Sequence, residues 1–502
     1  MKLHVMAGAM ALSLAFGASA QSLRSDLPAV YINTENSAPI TSTDVYTQST
    51  MTIVETDGVP VSYEQTRVRG RGTTLFTLAK KPYKIKLNKK QRLLGTDGGN
   101  AKKWNLLAHC GDKTLMRDAV ASYIALQAGQ PFAPGTKYVD LVLNDEYLGT
   151  YRLTDQVDIR KKRVNITEQP EVVTASTNIT GGYLLEIDED AVDTEGASYI
   201  NTSRGVRIAI KSPDEEFITT AQTEYIRQHV QKLEDALFDG TWEQYLDLNS
   251  LVQWYIVTEL TAEPNAFRSI YFYKEKDNDK FYFGPVWDFD FAFDNMSRFG
   301  SRPRALIAQE GRGAEWCFTW INQLRKEAKF HTAVNDAWKA LRAKGLIDGV
   351  NTYIDQTAKL IDKSQQQNFG LYAIGEKAHD EQHLFSSYAE GVSFLKEWTA
   401  TRAEFLDDAF ATLAAGGTVP VVGDQSGIEA PEVADYYVTV RDGQLLFSSL
   451  EAVSGTWEVY GVNGALVAAG QVAPVVELGL PKGAYVLRWT IGDQPRTAKF
   501  VL

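Results

Sequence analysis

Over residues 25–95 apolar and polar side chains alternate in short runs, the period-two signature of strands with one face against a core. Val30-Tyr31-Ile32 and Met51-Thr52-Ile53-Val54 read as strands, with a turn at Asp57-Gly58 between later segments. In Tyr83-Lys84-Ile85-Lys86-Leu87 the alternation places Lys84 and Lys86 on one face and Tyr83, Ile85 and Leu87 on the other. Residues 113–128 change to the helical period, with Leu115, Met116, Ala119, Val120, Tyr123 and Ile124 on a common side. Strands over 138–143 and 150–153 flank a hairpin turn at Asn144-Asp145-Glu146-Tyr147, and Gly182 to Asp188 forms a strand that ends in acids. Ile226, Val230, Leu233 and Leu237 mark an amphipathic helix, and a second helix over 251–261 breaks at Glu263-Pro264-Asn265. A hairpin follows, 270–273 with 281–283 across Asp277-Asn278-Asp279. From Trp316 to Ala414 the period is helical throughout, and Val334, Trp338 and Leu341 or Phe394, Trp398 and Phe405 read as packing faces. Residues 415–431 turn to Gly, Ala, Ser, Val and Pro, the composition of a linker. Short alternating strands with turns at Asp442-Gly443, Asn463-Gly464 and Pro481-Lys482-Gly483 then predict a small all-β sandwich over 432–502.

At 502 residues the chain exceeds one ordinary core, in agreement with that division. The net charge of −12 and the lack of a long basic run speak against nucleic acid or an anionic membrane surface as partner. Lys2, the apolar stretch 5–16 and Ala18-Ser19-Ala20 read as a secretory signal peptide over residues 1–20. No later apolar run has the length of a transmembrane segment, so an exported product is expected. Cys110 and Cys317 could form one disulfide; two buried thiols are the preferred reading, because a core of this size needs no staple. Cys/His spacing of the structural-zinc kind is absent.

The chemistry concentrates in residues 280–295, KFYFGPVWDFDFAFDN. Here Asp288 and Asp290 stand two apart between Trp287, Phe289 and Phe291, so an extended backbone would present both carboxylates on one side. Acids in an aromatic wall repel each other and resist desolvation, which calls for a compensating cation. A hard divalent ion such as Mg²⁺ suits carboxylate oxygens and keeps positions open for phosphates. Pairing with Arg298, Arg302 and Arg304 around a turn is the structural alternative.

The order of motifs resembles the CotH kinase family, named for the spore-coat protein H, over residues 27–412. The resemblance rests on RVRGRGTT at 67–74, KKPYKIKL at 80–87, DKTLMRD at 112–118, GTYRLTDQV at 149–157, GGYLLEID at 181–188, IKSPDEE at 210–216 and GPVWDFDFAF at 284–293. It implies an α+β, atypical protein-kinase-like bilobal domain over 21–414, with a β-rich N-terminal lobe above a helical C-terminal one, using ATP and Mg or Mn. It assigns Arg69, Gly70, Arg71, Gly72, Lys84 and Lys86 to nucleotide phosphates, with Asp112 or Asp118 as orienter of the lysine. Asp288 and Asp290 fall to the metal. Where the family carries N-x-D, this chain has Glu263-Pro264-Asn265, and Asn cannot take the proton of a substrate hydroxyl. Glu263 is the nearest substitute base. Ser269 and Ile270 stand where a second metal-binding Asn is expected, and Thr73 where relatives often carry Asn. The resemblance therefore implies a phosphotransferase acting on Ser or Thr of exported proteins, or a non-catalytic, pseudokinase-like surface protein of adhesion or assembly. A glycoside hydrolase using Glu259 or Glu263 with Asp288 or Asp290 is a third, weaker reading.

Residues 435–502, with Gly483-Ala484-Tyr485-Val486-Leu487-Arg488 and the closing Lys499-Phe500-Val501, resemble the C-terminal sorting domain of type IX secretion cargo. That implies the secretion machinery as one partner, an exported substrate or surface partner as another, and a protein secreted or held at the cell surface.

Overall fold

Seven strands of the N-terminal part close on themselves. They are β1 (Ala29–Thr34), β2 (Thr47–Val54), β3 (Pro60–Gly70), β4 (Tyr83–Gln91), β5 (Ala101–Leu107), β6 (Lys137–Leu143) and β7 (Glu146–Asp155), in the order β1-β2-β3-β4-β5-β7-β6. Every neighbour is antiparallel except β1 and β6, which run parallel from Ala29↔Asp140 to Ile32↔Leu143 and seal the barrel. Val30, Ile53, Val68, Ile85, Trp104, Leu141 and Leu153 fill its interior. The alternation of β4 is as expected, with Tyr83, Ile85 and Leu87 buried and Lys84 and Lys86 on the outer face. The hairpin between β6 and β7 turns on only Asn144 and Asp145, at φ 49° and 65°. Both residues tolerate the left-handed region, so the turn is shorter than the four residues expected.

The computed structural model describes residues 25–420 and 436–501, apart from 73, 190, 192–197, 298–302, 311–313, 442–443, 450–454, 462–463, 474 and 492–493. The expected signal peptide, most of the expected linker, Thr73, Arg298, Arg302, and the turn residues Asp442, Gly443 and Asn463 lie outside the described residues.

Helix α1 (Arg117–Gln127) leads from the barrel into a second layer. There β8 (Tyr183–Asp188), β9 (Tyr199–Asn201), β10 (Arg207–Ser212), β11 (Ser269–Lys274) and β12 (Phe281–Phe283) form an antiparallel sheet in the order β12-β11-β8-β10-β9. Leu185, Ile187, Ile270 and Phe272 share one core with Ile226, Val230 and Leu233 of α2 (Thr220–Asp239) and Leu251 and Trp254 of α3 (Leu248–Thr261). Thr219 and Gln222 close a capping box on α2, and Gly240 at φ 75° ends it. Helices α4 (Ile307–Glu310), α5 (Thr319–Leu324), α6 (Ala328–Ala343), α7 (Leu346–Leu360), α8 (Asp362–Leu371) and α9 (Tyr388–Ala414) complete this part. The expected strand at 182–188 and hairpin at 270–283 are present and belong to this five-stranded sheet, whereas the helical run expected from Trp316 to Ala414 is interrupted between Leu371 and Tyr388. The molecule is mixed α/β, with a β-rich N-terminal region and helices in its middle.

Beyond α9 the chain stays on this core as far as Val419, which is buried and whose carbonyl accepts from Gln309 Nε2 at 3.3 Å. The backbone divides at Val422/Gly423 into two compact units. The second unit holds two antiparallel sheets: β13 (Tyr436–Arg441), β14 (Gln444–Ser449) and β17 (Val475–Glu477), and β15 (Gly455–Gly461), β16 (Leu466–Gln471), β18 (Ala484–Ile491) and β19 (Gln494–Val501). Leu445, Trp457, Val459, Leu478 and Leu487 form their core. Among the described residues no helix is long and apolar enough to cross a membrane. Both cysteines are free thiols, Cys317 buried and Cys110 partly so.

Candidate functional site: an acid-rich loop beneath the barrel

Strand β12 ends at Phe283, and Gly284 turns the chain at φ 110°. The segment beyond is not extended, contrary to expectation. Asp288 has φ 61° and residues 290–294 form turns, so strand alternation does not relate the two carboxylates. Distant residues hold the loop in this path. Asp118 of α1 accepts the Phe289 N–H at 3.2 Å while its other oxygen pairs with Arg152. Gln130 Oε1 accepts the Val286 N–H at 3.2 Å, and Asn295 Nδ2 donates to the carbonyls of Asp290 and Gly111 at 3.0 and 2.8 Å. The cation at Asp288 is Arg71, just beyond β3, at 3.2 Å; its guanidinium also lies over the Trp287 ring, 5.2 Å from the centroid.

The acids differ in their surroundings. Asp288 keeps 41% of its side chain exposed, whereas Asp290 is only 7% exposed and its carboxylate has no hydrogen bond among the described residues. Burial, with Asp288 and Asp118 close by, raises the Asp290 carboxyl well above the usual range. Glu263 is 1% exposed; its Oε1 accepts the Asn265 N–H at 3.0 Å, and its Oε2 is buried with no partner among the described residues. Burial, followed by the fields of Asp290 and Asp288, pushes Glu263 well up too. A carboxyl so shifted gives up its proton less readily than an ordinary one, which leaves less of it in the form a general base needs. Burial also acts upward on Asp118, but Arg152, His109, the Phe289 N–H and Arg71 together outweigh it and keep that carboxylate low.

Arg71, Asp118, Asp288 and Asp290 line a cavity of ≈ 10 Å³, room for about one water, together with Leu75, Pro82, Leu107, Ala108, His109 and Cys110. His109 is buried there with Nε2 unpartnered among the described residues, and burial lowers it to about 4, so it is a neutral imidazole. The donor set suits a hard divalent cation: carboxylate oxygens of Asp288 and Asp290, and an orphaned Glu263 oxygen among the same acids. No group of three or more His, Cys, Asp or Glu among the described residues is arranged as a ready cage. A cation would therefore have the carboxylates of Asp288 and Asp290, with the Glu263 oxygen among the same acids, and otherwise open positions.

Of the two lysines, Lys84 is the one near Arg71. Burial lowers it to about 7, helped by Arg69, Lys103, Arg71 and Lys211. Lys86 is shifted down by burial and by Arg67, Lys103 and Lys102, with Arg71 not among its main neighbours. Neither lines the small cavity. Arg69 is committed elsewhere, donating to the carbonyls of Thr43 at 2.5 Å and Asp44 at 3.1 Å over the Tyr46 ring. A Cβ on Gly70 would come 2.4 Å from the Phe76 ring, so Phe76 explains this glycine without a ligand. Gly72, at φ 69°, is a turn residue, and a Cβ there would only touch Leu75 at 3.9 Å.

The acids expected to orient the lysine do not do so: Asp112 pairs with Arg117 and Asp118 with Arg152. Asn265 accepts from Arg268 Nη1 at 3.4 Å. Glu259 is structural, held by Arg402 and by the Ile307 and Ala308 N–H groups at 2.9 and 3.0 Å, which removes it from a hydrolase pair. Sequence reasoning missed His109 and Asn295 and gave Asp118 a different role. Only the position of Asp118 at the end of DKTLMRD pointed its way.

A barrel that brings an arginine down to a buried acid loop, over a sheet and a bed of helices, defines a mixed α/β protein built around one cation-seeking site. The chain belongs to the CotH kinase protein family, whose match covers residues 66–406 and so every site residue named above. Membership suggests kinase-like activity and, in general terms, ATP and metal use. Comparison with curated proteins finds no match to this chain.

Proposed function

We propose that this protein is an exported, kinase-like phosphotransferase that takes ATP with Mg²⁺ or Mn²⁺ and acts slowly on Ser or Thr hydroxyls of secreted or surface proteins. One observation carries the reading: a buried, unpaired Asp290 and an orphaned Glu263 oxygen share one electrostatic site with Arg71 and with Lys84, which has no side-chain partner among the described residues. Asp288 and Asp290 would hold the divalent cation, which when bound neutralises phosphate charge. Arg71 and Lys84 offer positive charge from the barrel side. Asn265 can hold a substrate hydroxyl by its amide oxygen but cannot remove the proton, and burial disfavours the ionised form of Glu263. The transfer then lacks general-base help, typically worth about 10²–10⁴-fold, and rests on positioning and charge. A sequence that reads as a signal peptide and a tail resembling a sorting domain support export through type IX machinery to the cell surface.

A second reading, a pseudokinase-like adhesion or assembly protein, draws on Asn265 and on the Arg71–Asp288 pair that narrows the site to ≈ 10 Å³. Thermal unfolding with ATP and Mg²⁺ separates the two. At about 100 times Kd, nucleotide stabilises by about 2.7 kcal/mol, and Asp288→Ala should abolish the shift. No shift in the natural chain supports the second reading, and a shift unchanged in Asp288→Ala removes the proposed site.

A further inference from the structure

The outer face of β3, β4 and β5 carries an arrangement that folding alone disfavours. Arg67 stands directly opposite Lys86, and Lys86 directly opposite Lys103, so three cations lie abreast across three strands. On the next rung Arg69 faces Lys84, and exposed Lys102 adjoins the row. Like charges directly opposed across strands destabilise a sheet. The usual remedy, an acidic partner in contact, is sparse: Asp44 stands 3.9 Å from Arg69 and Asp214 acts on Lys86 only through its field, while the side chains of Arg67, Lys84, Lys86, Lys102 and Lys103 have no hydrogen bond or ion pair among the described residues. Acids are not scarce in this chain, which has 63 Asp and Glu against 51 Lys and Arg. Instead the Tyr46 ring supports the row, with Arg67, Arg69 and Lys86 at 5.8, 4.9 and 5.9 Å from its centroid.

We infer that this face is a docking surface for an acidic polypeptide segment in extended conformation. Side chains on one face of a strand recur about every 7 Å, so acids at alternate positions of an extended peptide match Lys84 and Lys86, or Arg67 and Arg69. A long polyanion such as nucleic acid fits less well, since beyond this face it meets a molecule of net charge −12. The surface adjoins the candidate site through Lys84 and Arg71. Docking itself does not depend on phosphotransfer; only its use to present a substrate rests on the kinase-like reading. Lys86 then belongs to this face, and Lys84 borders both.

The test is fluorescence anisotropy of a labelled Ser-Glu repeat peptide with the full chain, at low and high salt. The natural chain should bind, more weakly as salt rises. Arg67→Glu with Lys103→Glu should weaken binding about tenfold or more while raising the melting temperature, because Lys86 then lies between two acids. Should that pair fold poorly, Arg67→Gln with Lys103→Gln should show the same loss in smaller degree. Four results overturn the inference: no binding by the natural chain, equal binding by the variants, displacement of the peptide by saturating ATP and Mg²⁺, or a single-stranded oligonucleotide bound as tightly. Asp288→Ala should leave peptide binding intact, so loss of nucleotide binding and loss of docking are read separately.

Discussion

Gly70 sits in a motif rich in glycine and arginine, and the obvious reason for it, room for a phosphate, is not what the neighbouring atoms require. The Phe76 ring occupies the space a side chain would need. Gly70→Ala should therefore cost about 1–3 kcal/mol in urea unfolding, by overpacking, with partial recovery when Phe76→Leu is added. A variant of unchanged stability would show that Phe76 has room to withdraw. Arg69 teaches the same lesson, since its charge is spent on the carbonyls of Thr43 and Asp44. Residue type and spacing located this strand end correctly, but they could not say which of Arg69 and Arg71 is free to meet Asp288. That choice depends on the loop at 42–46, whose path leaves no periodic trace in the sequence.

Elements whose cause is local were the legible ones. The in–out alternation of β4, the turn at Asn144-Asp145 and the break after α3 follow from side chains within a few residues. The acid loop was misread as a strand because its cause is distant: Asp118, Gln130 and Asn295 bend residues 286–290 through bonds to their backbone. Asp118 is the strongest of these ties, because it also neutralises buried Arg152. Asp118→Ala should cost about 3–5 kcal/mol by leaving a guanidinium buried without its partner. Hydrogen exchange at Phe289 should rise in the same variant. Exchange that stays slow there would mean that the other two ties suffice.

For the molecule as a whole, closure of the barrel was invisible beforehand, since parallel pairing of β1 with β6 joins segments about a hundred residues apart with no shared local signal. Closure packs Lys80 beneath the second layer, where Nζ donates to the Thr150 carbonyl at 2.5 Å above the Tyr151 ring. Burial brings Lys80 down to about 7 from 10.5. The folded chain gives up this proton first, so between those values the unfolded chain binds more protons and stability climbs as pH rises. Lys80→Met should flatten that climb and leave the protein more stable near pH 7; an unaltered slope in urea titrations would place the effect elsewhere.

Because Arg71 already occupies Asp288, any arriving metal ion or phosphate competes with a counter-charge supplied by the chain itself. Measured affinity will therefore be the intrinsic value diminished by the fraction of molecules whose guanidinium has swung aside. Electrolyte that loosens this internal latch helps a guest enter even as it weakens the guest's own attraction, so occupancy need not fall steadily with ionic strength.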